Sequence, residues 1–202
     1  MSRMLTSLAA SLALMLAVSL PAATRAADAP AAAEHVLGNA EAPITIIEYA
    51  SLTCPHCAEF DKTVLPQLKT AYIDTGKAKL VYRDFPLDGV ALKASMIARC
   101  LPSERYFPFI NALFKQQSNW AYGGDPKVGL QRMARLAGMS QDTFDKCFDD
   151  KQLEDQVLAE RLEGSRQFNI QGTPTLIVNG KASEGNGFED LDKILKPLAA
   201  KS

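Results

Sequence analysis

Two of the chain's four cysteines, Cys54 and Cys57, lie two residues apart in the run SLTCPHCAEF (51–60), with Pro55 and His56 between them. Thiols at i and i+3 can close into one small disulfide. Where such a pair opens a helix, the first thiol meets the positive end of the helix dipole and backbone N–H groups without intrahelical partners. Both features favour its thiolate, which is the nucleophile of disulfide exchange. His56 adds a donor, or a positive charge when protonated, and Pro55 constrains the turn without donating. The pattern predicts Cys54 as an exposed, acidic nucleophile and Cys57, one turn into the helix, as a buried resolving thiol. A stabilised thiolate stabilises the reduced protein and makes the disulfide a better oxidant. If Cys54 titrates at about 4 instead of about 8.5, the gain at pH 7 is about 4 kcal/mol, or about 90 mV for a two-electron couple. A structural staple is the competing reading, but closing so small a loop gains little entropy.

Three further sets of residues could join this chemistry. Glu48 stands six residues before Cys54 in an otherwise apolar run. It is either an outward-facing strand residue or a partly buried carboxylate with a raised pKa that relays the resolving thiol's proton. Thr173-Pro174 opens a later run, GTPTLIVNGK (172–181). A proline there gives up a ladder donor, and a cis bond at such a junction is possible but rare. Cys100 and Cys147 remain if Cys54 and Cys57 form the redox pair. A bridge between them would close a loop of about 47 residues, worth up to about 4 kcal/mol. Two separate buried thiols are the alternative. Cys54 and Cys57 also have zinc-ligand spacing, with Cys100, Cys147, His35 and His56 as further candidates. The second cysteine pair lacks that spacing, so no metal is expected, and His35 reads as a solvated residue.

The elements that must position these residues follow from periodicity. PITIIEYAS (43–51) reads as a buried strand. Apolar residues at Phe60, Val64, Leu65, Leu68 and Tyr72 predict a helix over 56–74, kinked at Pro66. KLVYRDFPL (79–87) reads as a second strand, which makes a βαβ unit with a parallel pair. Helices are predicted over 89–101, 106–117, 126–138, 140–150 and 151–168. A strand then returns at 172–181, with a hairpin turn at Asn179-Gly180, and a last helix covers 189–198. The expected fold class is α/β, with 36–88 and 169–202 forming one domain and 89–168 a helical insertion. Tyr106, Phe107, Phe109, Phe114 and Trp120 are expected mainly in the insertion's core, with a share free to line a substrate patch.

The N-terminus carries a different signal. Arg3 precedes an uncharged Leu/Ala/Ser-rich run from Met4 to Leu20, then Pro21 and small residues to Ala27. Residues 1–26 read as a secretory signal peptide and 27–35 as a flexible leader. The run falls short of the length of a membrane anchor. Export implies a disulfide-permissive compartment. Removing residues 1–26 takes the net charge from −1 to −3, and no basic run exists, so nucleic acid is not an expected partner.

EYASLTCPHC, a helical insertion and GTPTLIVNGK, in that order, resemble the DsbA-like branch of the thioredoxin superfamily, the bacterial extracytoplasmic thiol oxidoreductases. The resemblance covers about residues 36–200. It implies a thioredoxin fold with a helical insertion domain, a cis Thr173-Pro174 bond beside the cysteine pair, and a buried acid at Glu48. It implies a periplasmic thiol:disulfide oxidase without a cofactor, which passes its disulfide to newly secreted, unfolded polypeptides through a mixed disulfide at Cys54. Substrate would lie in a groove near Thr173-Pro174, and a DsbB-type, quinone-linked membrane oxidoreductase would reoxidise the pair. Threonine before the cis proline also occurs in disulfide isomerases of this superfamily, so an isomerase or reductase kept reduced by another membrane partner is the alternative. Against it, about ten residues separate the cleavage point from the first element, too few for a dimerisation domain, and a monomer is expected. A non-catalytic thiol- or metal-handling protein is the remaining alternative, but no Met-rich or extra His motif supports it.

Overall fold

The apolar run before the cysteines becomes strand β2 (Ile44–Ala50). The computed structural model describes residues 34–201; the expected signal peptide and residues 27–33 of the leader lie outside the described residues. Among those described, β2 is the middle strand of a five-stranded sheet in the order β1-β3-β2-β4-β5. β3 (Ala78–Asp84) runs parallel to β2 and sets Tyr82 opposite Glu48. β4 (Thr175–Val178) runs antiparallel along the other edge of β2 and sets Leu176 opposite Glu48. Glu48 is thus flanked by strands on both sides. β4 and β5 (Lys181–Ala182) form the hairpin expected at Asn179-Gly180, where φ is 46° and 81°. Positive φ at both positions suits Asn-Gly, and the turn's twist matches that of the strands. Asn179 also ties the turn to β2: its Oδ1 accepts from the Thr45 N–H at 2.9 Å, and its N–H donates to the Thr45 carbonyl at 2.9 Å.

The leader does not extend to residue 35. His35–Leu37 form β1, antiparallel to β3. β1 covers an edge of β3 that would otherwise expose unpaired backbone groups. His35 is not solvated either: its ring stacks on Tyr106 with centroids 3.4 Å apart. Burial, helped by the charges of Arg99 and Arg83 and opposed by Asp84, lowers its pKa to about 4.

The helix expected over 56–74 is divided. α1 (Pro55–Thr63) ends at Val64, α2 (Leu65–Leu68) restarts with Pro66 in its first turn, and a π-helical turn follows over Lys69–Ile73. Pro66 has no N–H and its ring clashes with a carbonyl one turn back, so the helix can only restart there. The later helices are α3 (Gly89–Arg99), α4 (Ser103–Lys115), α5 (Gln117–Trp120), α6 (Pro126–Leu136), α7 (Gln141–Phe148), α8 (Lys151–Phe168) and α9 (Phe188–Ala199). Asp88, Ser140 and Asp150 start α3, α7 and α8 by accepting the backbone N–H of Ala91, Thr143 and Leu153.

Tyr106, Phe109, Phe114 and Trp120 are buried in a core continuous with Ile44, Ile46 and Ala50 of β2. Phe107 packs at its edge. The opposite side of β2 carries Tyr49, which packs with Phe85, Ile170 and Ile177. Here α8 comes so close that a Cβ on Gly164 would lie 2.4 Å from Tyr49 Cε1. Two ties fix the helices around the sheet. Cys100, at the end of α3, is bonded to Cys147 of α7, with S–S 2.06 Å. Arg99 Nε donates to Asp84 Oδ2 at 2.6 Å, and the same guanidinium pairs with Glu160 of α8. Among the described residues, no helix is long and apolar enough to cross a membrane.

Candidate active site

The cysteine pair sits where β2 gives way to α1. Residues 51–54 form a tight loop in which the Cys54 N–H donates to the Ser51 carbonyl at 3.0 Å. Three side chains beyond β3 hold this loop. Gln117 Nε2 donates to the carbonyls of Leu52 at 2.8 Å and Cys54 at 3.1 Å. Thr53 Oγ1 donates to Asp88 Oδ2 at 2.6 Å, while Asp88 Oδ1 caps α3. The hydroxyl of Tyr122 donates to the Thr53 carbonyl. None of these three was singled out in the sequence. Gln117 and Tyr122 grip main-chain carbonyls more than 60 residues away, a contact that leaves no trace in residue type.

Cys54 is the residue just before α1, with Pro55 as its first helical residue. Its sulfur is not exposed as expected: the residue is 6% accessible, and in its thiol form it donates to the Thr173 carbonyl, 3.3 Å away. Thr173-Pro174 is a cis peptide bond at the start of β4. It reaches the cysteines because β4 pairs with β2 up to Thr175 opposite Tyr49, one residue from the end of β2.

The two thiols are electrostatically unlike. Cys54 is lowered from 9.0 to about 5, chiefly by a hydrogen bond from the Cys57 thiol. The Thr173 side chain and the backbone N–H groups of Cys57 and His56 add to this, while burial opposes it. His56 therefore acts through its backbone; its ring is exposed, as is Pro55. Cys57 is fully buried and its pKa is driven far up, first by burial, then by the Cys54 sulfur and the Glu48 carboxylate. At neutral pH the pair is a thiolate beside a thiol.

Glu48 lies on the core side of β2 and is 2% exposed. Its Oε1 has no hydrogen-bond partner among the described residues. Burial, with the charge of Asp61 second, raises its pKa from 4.5 to about 8. It is thus a protonated acid at pH 7, near enough to Cys57 to act on it. Cys100 and Cys147 are bonded to each other, so neither offers a thiolate to complete a zinc site with Cys54 and Cys57.

A family model described as thioredoxin matches residues 31–197. The chain belongs to the thioredoxin family. Its likeness within that family is to the DsbA-like proteins. It is 34% identical to α-DsbA1 of Wolbachia pipientis, whose crystal structure it matches with a TM-score of 0.77 over 84% of this chain and 92% of that one. A structure named as a protein-disulfide isomerase, from Novosphingobium aromaticivorans, is 26% identical with a TM-score of 0.72, covering 83% of this chain and 98% of that one. A curated Rickettsia typhi protein named a protein-disulfide oxidoreductase is 31% identical over 161 residues, 79% of this chain. The chain spans 60% of that relative's length. The DsbA-like fold, a thioredoxin fold carrying extra helices, accounts for both the sheet and the helices that grip the cysteine loop.

Proposed function

We propose that this chain is an exported thiol:disulfide oxidase that introduces disulfides into newly secreted, unfolded polypeptides. The observation that carries the reading is the asymmetry of the pair, with Cys54 lowered to about 5 and Cys57 pushed far up. A substrate thiolate attacks the Cys54 sulfur, the Cys54–Cys57 bond breaks, and Cys57 leaves with the electron pair. Glu48, protonated at neutral pH, gives Cys57 its proton. A second substrate thiolate attacks the substrate sulfur of the mixed disulfide and expels Cys54 as a stable thiolate. The substrate leaves oxidised, Glu48 regains its proton, the enzyme holds one thiolate and one thiol, and, counted from two substrate thiols, one net proton goes to solvent.

Thr173 and Pro174 would present main chain for an extended substrate to pair with, since the Thr173 carbonyl already meets the Cys54 sulfur. Residues 36–88 and 169–202 act as the thioredoxin-like domain and 89–168 as the inserted helical domain that clamps the loop. Residues 1–26 direct export to the periplasm, where a quinone-linked membrane oxidoreductase of the DsbB type reoxidises the monomeric enzyme. The Cys100–Cys147 bridge is structural.

Equilibration of the Cys54–Cys57 pair with a glutathione buffer tests the reading. An oxidase gives a potential well above about −180 mV; a value near about −270 mV assigns the protein to the reductants. Threonine before Pro174 and the isomerase-named neighbour favour a disulfide isomerase as the second reading. Rearrangement of a scrambled substrate faster than oxidation of a reduced one would establish it instead.

A further inference from the structure

The loop that delivers Cys54 to α1 ends in a peptide with a single polar group. Pro55 follows Cys54, so the peptide between them has no N–H and only the Cys54 carbonyl to be held by. Whatever binds that oxygen fixes the direction in which α1 leaves the cysteine. Two donors meet it: the Ala58 N–H at 3.2 Å, which belongs to α1 itself, and Gln117 Nε2 at 3.1 Å. The second comes from the helical insertion, 63 residues away.

Gln117 is 7% exposed, and the same nitrogen reaches the Leu52 carbonyl at 2.8 Å. An amide nitrogen carries two hydrogens, so both go to this loop. The Tyr122 hydroxyl donates to the carbonyl between them, that of Thr53. The carbonyls of residues 52, 53 and 54 are thus gripped in succession from α5 and the turn after it. The grip is itself held. Trp120 of α5 is 1% exposed, and its Nε1 donates to the Leu113 carbonyl of α4 at 2.8 Å. α6 packs so closely that a Cβ on Gly129 would lie 2.5 Å from the Trp120 carbonyl oxygen.

We propose that Gln117, assisted by Tyr122, is a positioning residue for the nucleophile: by fixing the loop's carbonyls it aims the Cys54 sulfur at the first N–H groups of α1. Neither side chain touches a reacting atom through its donor; both act through the main chain. The inference deepens the proposed function and rests on Cys54 being the working thiolate. The N–H groups of His56 and Cys57 help to hold that thiolate, and its stability sets the potential of the pair. With the carbonyls released, the Cys54–Pro55 peptide can turn, and the sulfur and the N–H groups lose their alignment. The reduced form is then less favoured and the disulfide becomes a weaker oxidant. The insertion therefore tunes the chemistry of a cysteine pair that lies outside it.

The test compares Gln117→Met and Tyr122→Phe with the wild type in two assays: thiolate absorbance of the reduced protein against pH, and equilibration with a glutathione buffer. Methionine keeps the length of glutamine without its donors, and phenylalanine removes only the hydroxyl. Gln117→Met is expected to raise the Cys54 midpoint by about one pH unit and to shift the glutathione equilibrium about tenfold toward the oxidised protein, which is about 30 mV. Tyr122→Phe is expected to shift it about threefold, or about 15 mV. Gly164→Ala, which strains the packing on the other side of the sheet, should move neither readout. Variants that lose stability to urea yet keep the midpoint within about 0.2 pH unit and the equilibrium within about 1.5-fold would make the grip a packing feature and overturn the proposal. If Gln117→Met does not fold, Tyr122→Phe decides by the same limits. The wild type's own potential tests the reading beneath: a reducing value there, with both variants still shifted, would sink the oxidase and leave the positioning role standing.

Discussion

Replacing Glu48 with glutamine should make the protein more stable, by an amount that grows with pH. The unfolded chain releases this proton near 4.5, while the folded chain holds it to about 8. Between those values the native state binds one more proton than the unfolded state, so stability falls as pH rises. The slope is about 1.36 kcal/mol per pH unit. From pH 4.5 to 7 it accumulates to about 3 kcal/mol, and by pH 8, where the slope has halved, to about 4. Glutamine does not titrate, so the variant lacks this slope. Its own buried amide adds an offset that does not vary with pH. Urea unfolding of wild type and Glu48→Gln, both oxidised, from pH 4 to 9 gives the difference directly. The other ionisable groups are common to both proteins and largely cancel. A difference constant within about 0.5 kcal/mol across that range would refute the reasoning, because it would mean that Glu48 is ionised in the native state and cannot donate to Cys57.

The reduced protein should show thiolate absorbance that titrates with a midpoint near 5 and vanishes in Cys54→Ser. Because that pKa is depressed, the thiolate's contribution to the stability of the reduced over the oxidised form is present at pH 7 and lost as pH falls through about 5. Its upper bound at pH 7 is about 2.7 kcal/mol, or about 60 mV, before solvent screening. Removing the second bridge with Cys100→Ala and Cys147→Ala should lower stability by up to about 4 kcal/mol, from the entropy of the loop it closes, measured by urea unfolding. Arg99→Ala leaves Asp84, 1% exposed, without its ion pair, and should cost about 3–5 kcal/mol in the same assay. Gly164→Ala sets a methyl against the Tyr49 ring and should cost about 1–3 kcal/mol while leaving the Cys54 titration in place.

The parts of this fold that were legible in the sequence are those whose signal is local. The β2 run, the Asn179-Gly180 turn and the bounds of α8 each follow from residues adjacent in the chain. β1 was missed because three residues give no readable period, and its pairing with β3 depends on residues more than 40 positions away. The site divides in the same way. The order of the two thiols follows from a dipole and spacing that any reader of residues 54–57 can see. The causes of their asymmetry do not: the residue types suggest the His56 ring beside the helix dipole, whereas the Cys57 thiol, the Thr173 side chain and backbone N–H groups hold the thiolate. Asp61 had a signal that went unread. Four residues after Cys57 and beside Phe60, it lies on the buried stripe of α1, where an ionised carboxylate is costly. Its pKa shows that cost directly: burial raises it to about 6, against the Asn111 hydrogen bond and the charge of Lys115, so the neutral acid is favoured where the helix face is apolar.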